Sequence, residues 1–302
     1  MNPTDRPRRF CRPTLLIVGC GDVGLRVAGL LRGRWRLLAL TSTPGRRDAL
    51  RAAGIVPLGG DLDRPETLAR LAGLADAVLH LAPPAATGTQ DLRTTRLIQA
   101  LARSPRLRRL VYASTSGVYG DCGGARVDET RPVAPATGRA RRRVDAEVRL
   151  RAFGRAAGVA VTVLRIPGIY ALDRAGGDPR ERLGRGTPVL NAADDVYTSH
   201  IHADDLARAC VAALHRGRPQ RTVNASDDSE LRMGEYFDLA ADLHGLPRPP
   251  RLSRADAAAA LSPLQMSFLG ESRRLVNRRL KDELGVVLRH PTVMEGLRAS
   301  PD

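Results

Sequence analysis

One stretch near the start of the chain decides the fold: Leu15-Leu16-Ile17-Val18-Gly19-Cys20-Gly21-Asp22-Val23-Gly24. An apolar run typical of a buried strand leads directly into the pattern G-x-G-x-x-G, and residues 23–31 continue with the apolar period of a helix. In such a segment Gly19 permits the tight turn, Gly21 lets backbone amides approach a pyrophosphate, and Gly24 lets the helix pack closely on the strand. The segment therefore predicts a Rossmann-type dinucleotide-binding domain, with a pyrophosphate site at Gly19, Gly21, Asp22, Val23 and Gly24.

The same alternation of short apolar runs and longer mixed segments continues to about residue 165. Strands are predicted at 15–18, 37–40, 55–58, 77–81, 110–113 and 159–164, and helices at 23–31, 46–53, 65–71, 92–102 and 139–157. Strands that alternate with helices form right-handed parallel βαβ units, with helices on both faces of one sheet. We therefore predict an α/β fold, a Rossmann-type doubly wound parallel sheet.

Beyond this point the rhythm changes, because the glycine- and proline-rich segments 176–179 and 247–250 mark loops. We expect residues 14–170 to form the NAD(P)-binding domain, and residues 197–224 to return to it through a helix at 204–214 and a short strand near 222–224. Residues 171–196 and 225–302 would then form a small C-terminal part that covers the substrate. Residues 1–13 are predicted to be a disordered basic tail.

The basic charge of the chain does not by itself indicate a nucleic-acid partner. The formal net charge is +16, but Lys281 is the only lysine, the arginines are spread along the whole chain, and aromatic residues amount to only 3%. Dispersed arginines without an aromatic platform are typical of solvated helix faces. We therefore expect a small-molecule substrate and no nucleic acid.

The cysteines and the apolar runs indicate the compartment. Cys11, Cys20, Cys122 and Cys210 are widely spaced and include no C-x-x-C pair, so neither a disulfide framework nor a zinc site is expected. Basic residues precede the first apolar run, but the glycine pattern interrupts that run too soon for an export signal. No apolar stretch approaches the ~20 residues that a membrane span needs. These features predict a cytoplasmic protein that does not associate with membranes.

The end of the second predicted strand bears on the choice of coenzyme. NAD enzymes place an acid there, ~20 residues beyond the glycine pattern, to bind the ribose 2′-hydroxyl. In this chain the segment is Thr41-Ser42-Thr43-Pro44-Gly45-Arg46-Arg47, and the first carboxylate is Asp48. Hydroxyls and arginines suit a 2′-phosphate, so this segment favours NADP over NAD, with Thr41, Ser42, Thr43 and Arg46 as ligands. The alternative is that Arg46 and Arg47 are solvated residues of the next helix.

Motifs after the later strands resemble those of a known family. They are Gly60-Asp61-Leu62-Asp63, His80-Leu81-Ala82-Pro83-Pro84, residues 111–120 (VYASTSGVYG), residues 165–170 (RIPGIY), residues 201–207 (IHADDLA) and residues 224–228 (NASDD). With these motifs the chain resembles the extended and atypical short-chain dehydrogenase/reductases, the NAD-dependent epimerase/dehydratase superfamily. Ser272-Arg273-Arg274, Asn277, residues 283–285 and residues 290–292 extend the likeness to a bacterial atypical subgroup.

The resemblance implies roles for several residues. Asp61 and Leu62 would flank the adenine, and Thr115 would take the place of the catalytic serine or threonine of the family. The cofactor trough would be lined by Leu81, Ala82, Pro83 and Pro167. From the residues alone, Asp61 could equally be a turn cap, and Thr115 and Ser116 a hydrogen-bonded strand end.

The chain departs from the family at its central catalytic motif. The family enzymes use a Tyr-x-x-x-Lys pair, but the aligned positions here are Arg139 and Arg143. An arginine cannot act as the general acid because its pKa stays above ~12. The proton could come from Thr115, Tyr119 or water, the cofactor could be bound without turnover, or both arginines could be exposed residues beside a vestigial site.

The histidines do not predict a metal site. His200 and His202 flank one residue of an extended segment and so point to opposite sides, and no third ligand is evident from the sequence. We expect His202 and Asp205 to tie the returning segment to the sheet. His80 ends the fourth strand near the expected nicotinamide trough and is a candidate for mutation.

These observations predict an NAD(P)-dependent oxidoreductase or epimerase/dehydratase-like enzyme that acts on a small hydroxyl or carbonyl compound, sugar derivatives included. The candidate catalytic residues are Thr115, Ser116, Tyr119, Arg139 and Arg143. The alternative is a non-catalytic NADP(H)-binding redox sensor. The long helix at 139–157 is a candidate face for a homodimer, as in related enzymes.

Overall fold

Seven parallel strands form the central sheet of the computed structural model, which describes residues 12–298 except the side chains of residues 263 and 264. The strands are β1 Thr14–Val18, β2 Arg36–Thr41, β3 Val56–Gly59, β4 Ala77–His80, β5 Arg109–Thr115, β6 Ala160–Ile166 and β7 Arg221–Asn224. Their order is β7-β6-β5-β4-β1-β2-β3, and every neighbouring pair is parallel. The predicted doubly wound parallel sheet is therefore confirmed. The chain reverses direction across the sheet between β1 and β4, where a crevice forms at the carboxyl ends of the strands.

The helices are α1 Asp22–Leu31, α2 Arg47–Ala52, α3 Leu92–Leu101, α4 Gly138–Ala157, α5 Pro179–Gly184, α6 Ala203–Arg216, α7 Met233–His244, α8 Arg254–Ala260, α9 Pro263–Leu269, α10 Arg278–Asp282 and α11 Val293–Arg298. Short 3₁₀ helices occur at Pro44–Arg46, Pro65–Leu71 and Ser116–Tyr119. The helix predicted at 65–71 is thus a 3₁₀ helix rather than an α-helix.

Short strand pairs lie outside the central sheet. They are Gly168–Tyr170 with His200–His202, Tyr197–Thr198 with Leu231–Arg232, Val189–Leu190 with Arg251–Leu252, and Arg126–Val127 with Arg274–Leu275. Two of these pairs border the crevice at the carboxyl ends of the strands. One contains Gly168–Tyr170, which follows β6, and the other contains Arg126–Val127, which follows β5.

The core consists of one apolar layer on each face of the sheet. Alternate residues of β1 serve the two layers: Ile17 packs with Val27 of α1 on one face, and Leu16 packs with Leu97 of α3 on the other. All five residues of β1 are buried, which explains its continuous apolar sequence.

A third apolar cluster, separate from the sheet, joins Tyr170, Leu190, Phe237, Ala257 and Val293. It supports the proposal that segments on either side of the returning residues 197–224 form one substrate-covering part.

Residues near 280–286 depart from the predicted division of the chain. Leu280, Leu284 and Val286 belong to the apolar layer on the α1 face of the sheet. The reason is that α10 packs against β7, a contact that no local sequence pattern announces.

Of the tail predicted at 1–13, residues 1–11 lie outside the described part of the chain. Within residues 12–298, none of the helices is both long and apolar enough to cross a membrane.

Candidate active site

The glycine loop between β1 and α1 has the geometry that a pyrophosphate needs. Gly19 has φ +85°, and a Cβ there would overlap the backbone of Ala82 in the loop after β4. Gly24 lies against β1, since a Cβ on it would stand 3.3 Å from Ile17 Cγ2. A Cβ on Gly21, in contrast, would meet nothing within 4 Å, so the backbone at Gly21 is open to a ligand.

A cavity of about 300 Å³ lies above this loop, at the carboxyl ends of β1, β4, β5 and β6; we call it the coenzyme cavity. The predicted cofactor residues that line it are Gly19, Gly21, Asp22, Val23, Gly24, Leu81 and Pro167. Arg174, which the sequence did not single out, also lines it, and its Nε donates to Asp22 Oδ2 at 3.1 Å. No local signal marks Arg174, because it lies in an irregular segment after β6.

A second groove, at the ends of β2 and β3, has a volume of about 560 Å³ and is lined by Thr41, Ser42, Arg47 and Asp61 among others. The sequence analysis left open whether Arg47 is only a solvated residue of the next helix. In the structure Arg47 lies in the wall of this groove. Arg46, also predicted as a coenzyme ligand, is exposed and lines neither this groove nor the coenzyme cavity, but its charge opposes the rise to about 11 that burial gives the pKa of the Cys20 thiol.

Several predicted cofactor residues do not line either of these spaces. Thr43 N donates to Thr41 Oγ1 at 3.2 Å, and Leu62 is buried in the α3-side layer. Ala82 N donates to Val18 O at 3.0 Å, and Pro83 O accepts from Arg93 Nη1 at 3.2 Å. These residues support the loops beside the spaces.

A third space, which we call the inner cavity, is more enclosed and has a volume of about 220 Å³. Its wall is built from the end of β5, the start of α4, the strand pairs around residues 168 and 197–200, and residues 267–275. Thr115, Arg139 and Pro167 line both the inner cavity and the coenzyme cavity. The catalytic candidates Thr115 and Arg139 thus lie where the two cavities meet.

Thr115 and Ser116 have different surroundings. Thr115 Oγ1 accepts from the amide of Gly117 at 3.3 Å, which leaves its own hydroxyl hydrogen able to point into the cavities. Ser116 Oγ lies 3.5 Å from Arg273 Nη2, also in the wall of the inner cavity.

The two arginines in place of the Tyr-x-x-x-Lys pair also differ. Arg143 Nη1 donates to the carbonyl of Ala113 at 2.8 Å and to the hydroxyl of Tyr112 at 3.0 Å, so it is fixed at the end of β5. The Arg139 guanidinium lies over the ring of Phe268, 4.8 Å from its centre. Partial burial and the neighbouring charge of Arg143 lower the pKa of Arg139 from its ordinary value.

The structure corrects the hypothesis that Tyr119 supplies a proton. Its side chain is 1% exposed and lines neither cavity, and its hydroxyl donates to Asn224 Oδ1 at 2.8 Å. Arg165 covers its ring at 4.6 Å, and burial raises the pKa of the phenol. A group that reaches neither cavity cannot exchange a proton with a substrate there.

His80 is likewise not brought to the cavities. It is buried, and its Nε2 lies 2.9 Å from Thr94 Oγ1. Burial lowers the pKa of His80 to about 3, so the ring is neutral and links β4 to α3.

The sequence analysis found no third metal ligand for His202, but the fold brings candidate ligands together there. The ligand atoms of His202, Asp204 and His290 lie within 4.8 Å of one another. However, Asp204 Oδ1 accepts from Arg26 at 2.6 Å, and His202 Nδ1 accepts from the amide of Asp204 at 3.3 Å. These atoms are therefore already engaged in joining α1 to α6. Asp205 accepts from the amides of Arg289 and His290, both at 2.8 Å, and so ties the C-terminal segment to α6.

Two residues of the inner cavity escaped the sequence analysis as site residues. Glu271 Oε2 accepts from Arg273 Nη1 at 2.7 Å, and the two side chains are only 11% and 13% exposed. Arg273 Nη1 also donates to Gly120 O at 2.8 Å, which holds the pair against the loop after β5. They were missed because they lie about 150 residues from Thr115 in sequence, with no local pattern to connect them.

Comparison with known proteins places this geometry in a family. A sequence model of the NAD dependent epimerase/dehydratase family matches residues 16–226. The chain belongs to this family. The predicted resemblance is therefore confirmed, and both the glycine loop and Thr115 fall inside the matched segment.

Individual relatives of the NAD dependent epimerase/dehydratase family cover nearly the whole chain. The Escherichia coli K12 protein YeeZ is 25% identical over 288 residues, which span 91% of this chain and 95% of YeeZ. A functionally unknown conserved protein from Silicibacter pomeroyi DSS is 30% identical with a TM-score of 0.78, over 95% of this chain and 97% of that one. The Thermotoga maritima UDP-glucose 4-epimerase, solved with UDP-glucose, shares the fold at 19% identity and a TM-score of 0.78, over 94% and 96% of the two chains.

The boundary of the family match is informative. It ends at residue 226, so Phe268, Glu271 and Arg273 lie outside it. These three residues of the inner cavity therefore come from the part of the chain that follows the matched segment.

Proposed function

We propose that this chain is an NAD(P)-dependent oxidoreductase or epimerase/dehydratase-like enzyme that acts on a small hydroxyl or carbonyl compound. The observation that carries the proposal is the common wall of the two cavities, which places Thr115 and Arg139 between the glycine loop and an enclosed space. A dinucleotide on the glycine loop would present its reactive end to whatever occupies the inner cavity.

The residues present fit a dinucleotide. The open backbone at Gly21 and the N-terminus of α1 suit the pyrophosphate. Asp61 lies in the groove at the ends of β2 and β3, where adenosine would extend, and Leu81 and Pro167 would line the nicotinamide half. When bound, the nicotinamide supplies hydride acceptance and donation, and the chain supplies orientation and proton handling.

We further propose a preference for NADP. Thr41, Ser42 and Arg47 lie in the wall of the groove, and Arg46 stands near the glycine loop. Two guanidiniums and two hydroxyls match the charge and the acceptors of a 2′-phosphate.

The chemistry proposed for the side chains follows from their positions. Thr115 would donate a hydrogen bond to the substrate oxygen, and Arg139 would stabilise negative charge that develops there. Arg143, held by the carbonyl of Ala113, would keep the end of β5 in place.

A turnover assay tests the proposal. The purified protein with NADPH or NADP would be offered small carbonyl compounds and alcohols, and coenzyme absorbance would report consumption. We expect turnover with at least one class and a drop of about 10²-fold or more in Thr115→Val. Tight binding with no consumption of coenzyme across the panel would overturn the enzymatic proposal.

Tight binding without consumption of coenzyme would favour a redox sensor. The specific observation in its favour is arginine at both positions of the proton-transfer pair, Arg139 and Arg143. A sensor would change its conformation on binding NADPH but would not oxidise the coenzyme.

A further inference from the structure

The inner cavity has an excess of positive charge. Its described lining residues include the guanidiniums of Arg139 and Arg273 and a single carboxylate, Glu271. Burial lowers the pKa of His200 in the same wall to about 3, so that ring is neutral. The first turn of α4, which also contributes to the wall, contains no acidic residue to offset the positive end of the helix dipole. An anionic group is therefore favoured inside.

The same cavity carries buried polar atoms that lack partners. Among the described residues, Glu271 Oε1, Arg273 Nε and His200 Nδ1 have no hydrogen-bond partner. Buried polar atoms in proteins are usually hydrogen-bonded, so a wall with several unpartnered ones favours a polar ligand. The Arg139 guanidinium lies over the Phe268 ring and forms no salt bridge with a carboxylate of the described residues, so it can meet an anion.

Glu271 and Thr115 lie close to each other in the wall of the inner cavity, next to Gly117. A Cβ on Gly117 would lie 3.7 Å from Thr115 Oγ1 and 3.8 Å from Glu271 Oε2. The Glu271 carboxylate, whose Oε2 accepts from Arg273, is thus placed as a general base near the Thr115 hydroxyl at the junction of the two cavities. This supplies the proton-transfer group that α4 lacks.

The volume limits the size of the ligand. Ordinary ligand pockets occupy about 300–1,000 Å³, and the inner cavity has about 220 Å³. A small organic molecule fits this space better than a nucleotide-linked sugar.

We infer that the inner cavity binds a small hydroxy acid, or the corresponding oxo acid, with Arg139 on its carboxylate and the Glu271 carboxylate near its hydroxyl. This inference rests on the proposed function. In the oxidative direction the hydroxyl proton would pass to the Glu271 carboxylate, and a dinucleotide held by the glycine loop would supply the acceptor for the hydride, two electrons and one proton, that leaves the carbinol carbon. The C–O single bond becomes a carbonyl, and Glu271 becomes a neutral acid that returns the proton in the reverse reaction.

The first test measures binding with matched probes. Glycerate, lactate and 3-hydroxybutyrate would each be titrated calorimetrically into the protein saturated with NADP, with glycerol as the neutral counterpart of glycerate. We expect at least one acid to bind at least 10-fold more tightly than glycerol, and Arg139→Gln to remove that difference. Arg141→Gln, an exposed arginine two positions further along α4, is the matched control and should bind like the parent.

The second test separates proton transfer from binding. With an acid that binds, Glu271→Gln should lower kcat by about 10²–10⁴-fold and change KM little. Glu271→Asp should recover part of the rate. Glu230→Gln, which removes a carboxylate paired with Arg126 on the surface, should behave like the parent.

The outcomes distinguish this inference from the proposed function. A protein that binds NADPH but responds to none of the acids, or binds glycerol as well as glycerate, overturns the hydroxy-acid inference alone. Turnover of an acid that is unchanged in Glu271→Gln overturns the role of Glu271. Failure to bind NADPH at all overturns the proposed function itself.

Discussion

At the end of β2, two adjacent arginines face different parts of the coenzyme site. Arg47 lies in the wall of the groove with Thr41 and Ser42, and Arg46 lies near Cys20 of the glycine loop. The proposed preference for NADP would depend on the charges of both residues.

Removing these charges should change coenzyme choice. We expect the double variant Arg46→Ala with Arg47→Ala to weaken NADPH binding by about 10²–10⁴-fold, because each of the two lost charge-assisted hydrogen bonds contributes about 1.5–3 kcal/mol. NADH binding should change less than about 3-fold. Arg51→Ala, an exposed arginine paired with Asp48 in α2, is the control in the same fluorescence titration. Equal loss for both coenzymes would contradict the assignment.

His200 provides a pH-dependent prediction. Burial lowers the pKa of His200 to about 3, below the ~6.5 of an unfolded histidine, so the unfolded chain takes up a proton first as the pH falls. The stability from the neutral ring is complete above about pH 6.5 and is lost progressively below it. His200→Phe, which keeps the stacking on Tyr236 at 4.1 Å, should lose less stability than the parent between about pH 7 and 5 in urea unfolding. Identical slopes would contradict this.

At the scale of elements, the helix α4 is anchored to the sheet by a buried ion-pair network. Glu147 is 1% exposed and accepts from Arg165 of β6 at 2.8 and 3.1 Å and from Ser114 Oγ of β5 at 2.6 Å. This network holds α4 against the strands that end at the site. It therefore helps to fix the positions of Arg139 and Arg143 relative to the ends of those strands.

Breaking the network should be costly. Glu147→Gln leaves the buried Arg165 without its counter-charge, and we expect a loss of about 3–5 kcal/mol in the free energy of unfolding. Glu66→Gln, in an exposed pair with Arg64, should change the free energy of unfolding far less, because water and salt screen exposed ion pairs. Urea denaturation of both variants gives the comparison, and similar losses in the two would show that the buried pair is not a structural anchor.

Local pattern predicts the elements around the coenzyme well. The apolar runs of β1, β2, β4, β5 and β6 are visible in sequence because those strands are largely buried, and the G-x-G-x-x-G spacing specifies the loop between β1 and α1. Long-range partners are not visible in this way. Tyr119 bonds to Asn224, 105 positions away, and nothing near Tyr119 distinguishes that role from catalysis.

At the scale of the whole molecule, the wall of the inner cavity combines residues from distant parts of the chain. The family match covers the coenzyme side and ends at residue 226, and Glu271 and Arg273 come from beyond it. Sequence could not place these residues in the site, because the fold brings the C-terminal segment back across β5 and α4. The homodimer through α4 and the cytoplasmic location stay predictions.

The central claim is that the glycine loop binds a dinucleotide, and a fluorescence titration with NADPH tests it most directly. The informative variant is Gly21→Arg, because a side chain at Gly21 meets no protein atom within 4 Å and would fill the pyrophosphate position without disturbing the fold. Gly29→Arg is the matched control, since Gly29 lies in the same helix α1 and its Cβ would also meet nothing within 4 Å. We predict saturable NADPH binding by the parent and by Gly29→Arg, and none by Gly21→Arg. Equal binding by all three proteins, or no binding by the parent, would contradict the account.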